Sequence, residues 1–180
     1  YKGKRNIYRT PGNRDMLAWL GPILLKKAIS YPFRRETVQP WRIACRVDGK
    51  PLHDFESDSD FSDFKWIDSP AGHFWADPFA FEQEGQCWAF FEDYSYQQKR
   101  AAIACSQVSA LGEFGPPILC LAHPTDHYSY PYIFQVGSEV FMIPESYDSN
   151  SVDLYRCRQF PNQWIREATL LEGKFVDTTI

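Results

Sequence analysis

The side chains best suited to chemistry in this sequence are carboxylates set among aromatic rings. Asp77 lies in Trp75-Ala76-Asp77-Pro78, and Asp177 in Val176-Asp177-Thr178. Glu92 closes the run Phe90-Phe91-Glu92, and Glu145 closes Met142-Ile143-Pro144-Glu145. Paired carboxylates are what cleavage of a sugar bond requires, one protonating the leaving oxygen while the other activates water or attacks. Trp75, Tyr94, Tyr128, Tyr130 and Tyr147 accompany them. Such rings are half apolar and half polar and suit stacking on sugars. Each feature also has a plainer reading. Asp77 before a proline can cap nearby backbone N–H groups. Glu92 and Glu145 can make one structural bond per repeat or form the polar rim of a site. Any single aromatic ring can simply pack a core.

Metal chemistry finds little support. His123 and His127 are four apart, but Pro124 between them disfavours the helix that would align them. The acidic run 54–63 lacks the glycine and distal glutamate of a calcium loop, so it reads as a solvated loop. Cys45, Cys87, Cys105, Cys120 and Cys157 contain no closely spaced pair. Those in apolar runs (Cys87, Cys105, Cys157) read as small buried hydrophobes. No metal site and no cofactor are expected from these residues.

The elements that must position the carboxylates emerge from comparing the sequence with itself. The stretch starting at His73 resembles the stretch starting at His127. Pro78 aligns with Pro131 and Glu92 with Glu145, each a shift of 53, while Gly85 aligns with Gly137 and Cys105 with Cys157 at 52. Each repeat reads as four short strands rich in Phe, Tyr, Trp, Val and Ile and bounded by turn residues. They are expected over 74–81, 86–92, 101–108 and 117–122, then over 130–135, 139–145, 152–158 and 164–171. A third repeat begins near 175, placing Asp177 where Asp77 and Tyr130 stood. Four strands per roughly 50 residues is the pattern of a β-propeller blade. An open meander or sandwich is the alternative. In a propeller, Asp77, Tyr130 and Asp177 would all sit near the mouth of the central channel.

Two complete blades do not close a ring, which, with Tyr rather than Met at position 1, marks the chain as a fragment of a longer one. Ahead of the repeats, 11–29 is expected to form a helix interrupted near Gly21-Pro22. Residues 41–47 alternate apolar and polar as a half-buried strand does. The apolar stretch 16–25 is too short to span a membrane, and nothing reads as a signal peptide. The odd cysteine count and missing signal lean towards a reducing, cytoplasmic compartment. Among 180 residues, 44% are hydrophobic and 23% charged, which excludes bulk disorder, and a net charge of -4 leaves no basic field for nucleic acid.

The ordered motifs WRIACR, FWADPF, FFEDYS, SYPYIF, MIPES, LYRCRQFP and DTTI carry a resemblance over about 41–180. They resemble the N-terminal domain of the glucosamine inositolphosphorylceramide transferase family, itself similar to the five-bladed propellers of glycoside hydrolase family 43. The resemblance implies an all-β, five-bladed propeller, here about two blades and the start of a third, over 36–180. Residues 1–35 would be a linker or the tail of an upstream domain with a short helix. It implies a carbohydrate or glycolipid headgroup as partner and further covalently linked domains. Asp77 matches the general base of those hydrolases. Tyr130 stands where a second carboxylate is usual, and Asp177 is not the Glu that acts as acid. Two readings follow: a hydrolase-like domain that binds, and with Asp77 and Asp177 cleaves, a glycan, its substrate held by Trp75, Glu92, Tyr94, Tyr128, Tyr130 and Glu145; or a non-catalytic carbohydrate-recognition module beside a glycosyl- or formyl-transferase. A protein-interaction propeller is a third. The transferase chemistry belongs to a separate domain and is not carried over.

Overall fold

The computed structural model describes residues 12–30, 41–47, 62 and 64–179. The acidic run 54–63, apart from Ser62, and the side chain of Tyr147 lie outside the described residues. The chain divides into two compact units, Tyr1–Gln39 and Pro40–Ile180.

In the first unit, helix α1 spans Asn13–Ser30. Asp15 in its first turn accepts the Gly12 N–H at 2.9 Å and places negative charge near the positive end of the helix dipole. Contrary to the expected interruption, the helix continues through Pro22. Proline removes one N–H donor and crowds the preceding turn, yet the helix does not end there. No described helix is long and apolar enough to cross a membrane.

The described strands of the second unit all pair antiparallel. Strands β1 (Ile43–Cys45) and β2 (Lys65–Ile67) pair as a two-stranded sheet. The sequence pattern located β1 and missed β2. A first four-stranded meander follows: β3 (His73–Gln83), β4 (Gln86–Ser95), β5 (Arg100–Val108) and β6 (Ile118–Leu121). The second meander is β7 (Ser129–Val136), β8 (Glu139–Glu145), β9 (Ser151–Gln159) and β10 (Gln163–Glu172). All eight strands lie within a few residues of their expected positions. The β3–β4 hairpin closes on Glu84 and Gly85, both left-handed at φ 51° and 73°, as a two-residue primed turn requires.

The internal repeat is visible in the backbone. On β3, Asp77 and Pro78 stand opposite the single residue Phe91. On β7, Tyr130 and Pro131 stand opposite the single residue Pro144. Each is a β-bulge, where a proline's missing N–H costs no ladder bond. Asp77, Tyr130 and Asp177 have φ of 49°, 45° and 49°. The three positions aligned from sequence thus share one left-handed conformation that non-glycine residues seldom adopt.

Two cores hold the layers. Successive residues Phe90 and Phe91 are both 0% exposed, because β4 is covered on both faces. Phe90 belongs to the core between the two four-stranded sheets, with Trp88, Ile103, Ile133, Met142 and Tyr155. Phe91 belongs to the core between the first sheet and the β1–β2 pair, with Ile43, Trp75 and Ala104. Cys105 and Cys120 are buried in the first of these cores, with Cys157 packed against it. Burial raises the Cys157 thiol to about 11. Cys87 corrects its expectation: it is exposed, because it sits at the hairpin end of β4.

Candidate functional site

A cleft of about 420 Å³ opens where the bulge of β3 meets the end of β4 and the approach to β1. Asp77 and Glu92 border it together with Trp41, Arg42, Phe74 and Trp75. The ladder brings the two acids together, since Glu92 pairs with Ala76, the residue before Asp77. Asp77 is exposed on its left-handed backbone. Glu92 is only 7% exposed. A buried carboxylate needs partners, and His127 supplies one: its Nε2 lies 3.4 Å from Glu92 Oε1. The Ala101 N–H donates to His127 Nδ1 at 3.3 Å, which leaves the ring proton on Nε2, facing Glu92. The hydrogen bond to Glu92 raises the His127 pKa; burial opposes this, and the charges of Glu92, Asp148 and Glu145 add to it.

Alternation along β4 turns the next carboxylate to the other face. Asp93 accepts hydrogen bonds from Trp75 Nε1 at 3.1 Å and pairs with His73 Nδ1 at 2.7 Å. Trp75 is 5% exposed, its ring 4.6 Å from Phe91, so it forms a wall of the cleft from within the core and offers no free face for stacking. Tyr128 is likewise interior, its hydroxyl 3.1 Å from that of Tyr155. Burial raises the Tyr128 pKa. Both rings were expected to contact a sugar, and packing occupies them instead.

Tyr94 stacks on Phe74 at 4.6 Å and lies 5.9 Å from the His127 ring, which keeps it half-buried at the edge of the cleft. Tyr130 packs edge-on against Phe79 at 5.1 Å, bringing the start of β7 beside β3. Glu145 and Asp177 are joined directly: the Asp177 backbone N–H donates to Glu145 Oε2 at 2.9 Å. The structure therefore places Asp77, Glu92 and Trp75 at one cleft, Tyr94 at its edge against Phe74, Tyr130 against Phe79, and Glu145 with Asp177 as a separate pair.

Three residues around the cleft escaped the sequence reading. Trp41 is 58% exposed and provides the open ring that Trp75 does not. It stands just ahead of β1, where alternation assigned it only to a half-buried strand. Arg42 brings a cation held by Asp68 at 2.7 Å and lying over the Trp66 ring. His127 enters as the partner of Glu92, a role its spacing from His123 does not signal. His123 pairs with Asp126 at 3.2 Å, while His127 faces Glu92. Among the described residues, no group of three or more His, Cys, Asp or Glu side chains is placed to hold a metal ion.

A larger groove, about 770 Å³, lies between β1 and the β3–β4 hairpin. It is mainly apolar and has no carboxylate among its bordering residues, so acid–base chemistry favours the smaller cleft.

The chain matches the family model described as "Glucosamine inositolphosphorylceramide transferase 1, N-terminal" over residues 65–180. It is 32% identical over 108 residues to glucosamine inositolphosphorylceramide transferase 1 of Arabidopsis thaliana and 27% identical over the same length to the protein of that name from Oryza sativa. Each alignment covers 60% of this chain and 14% of the relative, so the chain spans only a small part of their length. Among solved structures, an α-L-arabinofuranosidase from Lactobacillus brevis aligns with TM-score 0.51 at 11% identity, covering 66% of this chain and 43% of that one, a likeness of fold alone. A thermostable family-43 glycoside hydrolase aligns with TM-score 0.47 at 16% identity, covering 58% and 41%. The family inferred from the ordered motifs is thus the one matched, and the chain belongs to the glucosamine inositolphosphorylceramide transferase 1, N-terminal, family.

Proposed function

We propose that residues 36–180 form part of a five-bladed propeller that binds a glycan or glycolipid headgroup in the cleft beside Asp77. Residues 1–35 act as a linker, and further domains belong to the same polypeptide. The observation that carries this reading is Asp77 itself, an exposed acid held at φ 49° in a cleft with Glu92 and the open Trp41 ring. Non-glycine residues kept in such a conformation cluster at ligand sites, where the surrounding fold over-determines them. A carboxylate accepts hydrogen bonds from sugar hydroxyls, and an indole face covers the apolar side of a sugar ring. The relatives carry the name of a transferase of a sugar-bearing ceramide, which agrees with a saccharide partner.

Hydrolysis is a second reading, favoured by the left-handed φ of 49° that Asp77 and Asp177 share at matching positions of the repeat. Asp77 would take the proton of the attacking water, and Asp177 would donate to the leaving oxygen. The Tyr130 ring at the middle position, where a further carboxylate would serve hydrolysis, supports recognition without cleavage.

A glycan array, followed by titration with glucosamine and with arabinose for comparison, tests binding. Asp77→Asn and Trp41→Ala should each weaken the sugar bound best by about tenfold. Binding unchanged in both variants, or no glycan retained by the unaltered protein, overturns the proposal. Release of nitrophenol from aryl glycosides, abolished in Asp77→Asn, would establish hydrolysis over recognition.

A further inference from the structure

Glu92 on β4 and Glu145 at the end of β8 stand at the same register of successive repeats. We infer that each is a latch: it reaches forward to the lead-in of the next repeat and so positions that repeat's left-handed residue. Two independent contacts carry this. Glu145, last residue of β8, accepts the Asp177 N–H at 2.9 Å across 32 residues of chain. Glu92, at the matching register of β4, lies 3.4 Å from Nε2 of His127, three residues ahead of Tyr130. The registers are the same, since Glu92 pairs with Ala76 and Glu145 with Ser129, the residues just before Asp77 and Tyr130.

The physical need is local. Asp77, Tyr130 and Asp177 hold φ between 45° and 49°, a conformation that a bulge alone does not impose on non-glycine residues. A carboxylate fixed on the preceding sheet satisfies a lead-in donor with a charge-assisted bond and sets where the chain turns. The His127 lead-in has a further anchor, because the Tyr128 N–H donates to Ala101 O at 3.1 Å while the Ala101 N–H donates to His127 Nδ1. The groups whose charges act on His127 are Glu92, Glu145 and Asp148. Glu145 is on this account a positioning residue for Asp177, acting through the backbone and not by contact with a ligand. Its functional consequence rests on the reading of Asp177 as a site residue.

Amide NMR on Glu145→Ala, Glu145→Gln and Asp177→Ala tests the latch. In Glu145→Ala the Asp177 amide resonance should move upfield and exchange about tenfold faster. Glu145→Gln keeps an acceptor oxygen and should restore most of the protection, a rescue that a general packing role does not predict. An Asp177 amide indifferent to Glu145→Ala overturns the latch, whether or not any sugar binds. With glucosamine as probe, Glu145→Ala and Asp177→Ala should each weaken binding about tenfold, and the double variant no further. If the amide responds but Asp177→Ala leaves glucosamine affinity unchanged, the latch stands and Asp177 falls as a site residue.

Discussion

Asp93→Ala should destabilise the protein far more than Glu92→Gln, although the two acids are neighbours on β4. Strand alternation sends Asp93 to the face it shares with Trp75 and Phe91. There its carboxylate satisfies the Trp75 indole N–H at 3.1 Å and the His73 ring at 2.7 Å. Removing it leaves the indole N–H, in a residue 5% exposed, without a partner. An orphaned buried donor costs about 1–3 kcal/mol. The His73 side chain is 36% exposed and can turn to water, so its loss adds only about 0.5 kcal/mol. The total, about 1.5–3.5 kcal/mol, corresponds to a fall in Tm of roughly 3–14 °C for a protein of this size. Glu92→Gln keeps an acceptor facing His127 and should stay within about 1 kcal/mol. Thermal or urea unfolding of both variants gives the comparison. A Trp75→Phe background isolates the mechanism: phenylalanine has no N–H to orphan, so Asp93→Ala should cost about 1–2 kcal/mol less there. An equal cost in both backgrounds, or a cost below about 0.5 kcal/mol in the parent, refutes the reasoning.

Other consequences can be checked with the same measurements. His127 has its pKa raised above the usual 6.5 in the folded state, so the charge-assisted part of its clasp on Glu92 contributes stability that is full below about pH 6.5 and lost as pH rises through the folded value, the neutral Nε2–H contact remaining. Unfolding of His127→Ala across pH should therefore show its largest deficit on the acid side. Burial pushes the Asp153 carboxyl up, but hydrogen bonds from Arg166, Thr169 and Ser151 outweigh this and hold it below its usual 3.8. Asp153→Asn should thus cost about 1 kcal/mol at neutral pH, with the deficit vanishing as pH falls through the depressed native value. Phe91→Ala, a truncation of a side chain with 0% exposure, should cost about 3–5 kcal/mol in the same assay. Thiol labelling of the native protein should modify exposed Cys87 well before buried Cys105 and Cys120, with denaturant levelling the rates.

Local pattern was sufficient for the repeats. Runs of aromatic and β-branched residues between turn residues bounded all eight strands of the two meanders, because strand formation and hairpin closure depend on neighbours in sequence. Alignment of Pro78 with Pro131 also identified Asp77, Tyr130 and Asp177 as one class, and the structure gives the three a common φ of 45–49°. Three-residue β2 carried too short a signal to stand out, and Pro22 suggested a break that α1 does not make. Propensity is a weak prior over so few residues.

Partner choice lay beyond sequence. Trp75 and Trp41 are the same residue type near the same cleft, yet one is buried against Phe91 and the other open to solvent. That difference depends on which layers meet, a matter of contacts distant along the chain. The same is true of Glu92 with His127 and of Glu145 with Asp177, which lie 35 and 32 residues apart in sequence. Composition and spacing by themselves determined that this chain folds as repeated antiparallel sheets carrying an acid at the head of the first. Only the tertiary structure decided which carboxylates share a cleft, which are latches and which rings remain open, because burial and hydrogen-bond partners exist only once the sheets have packed.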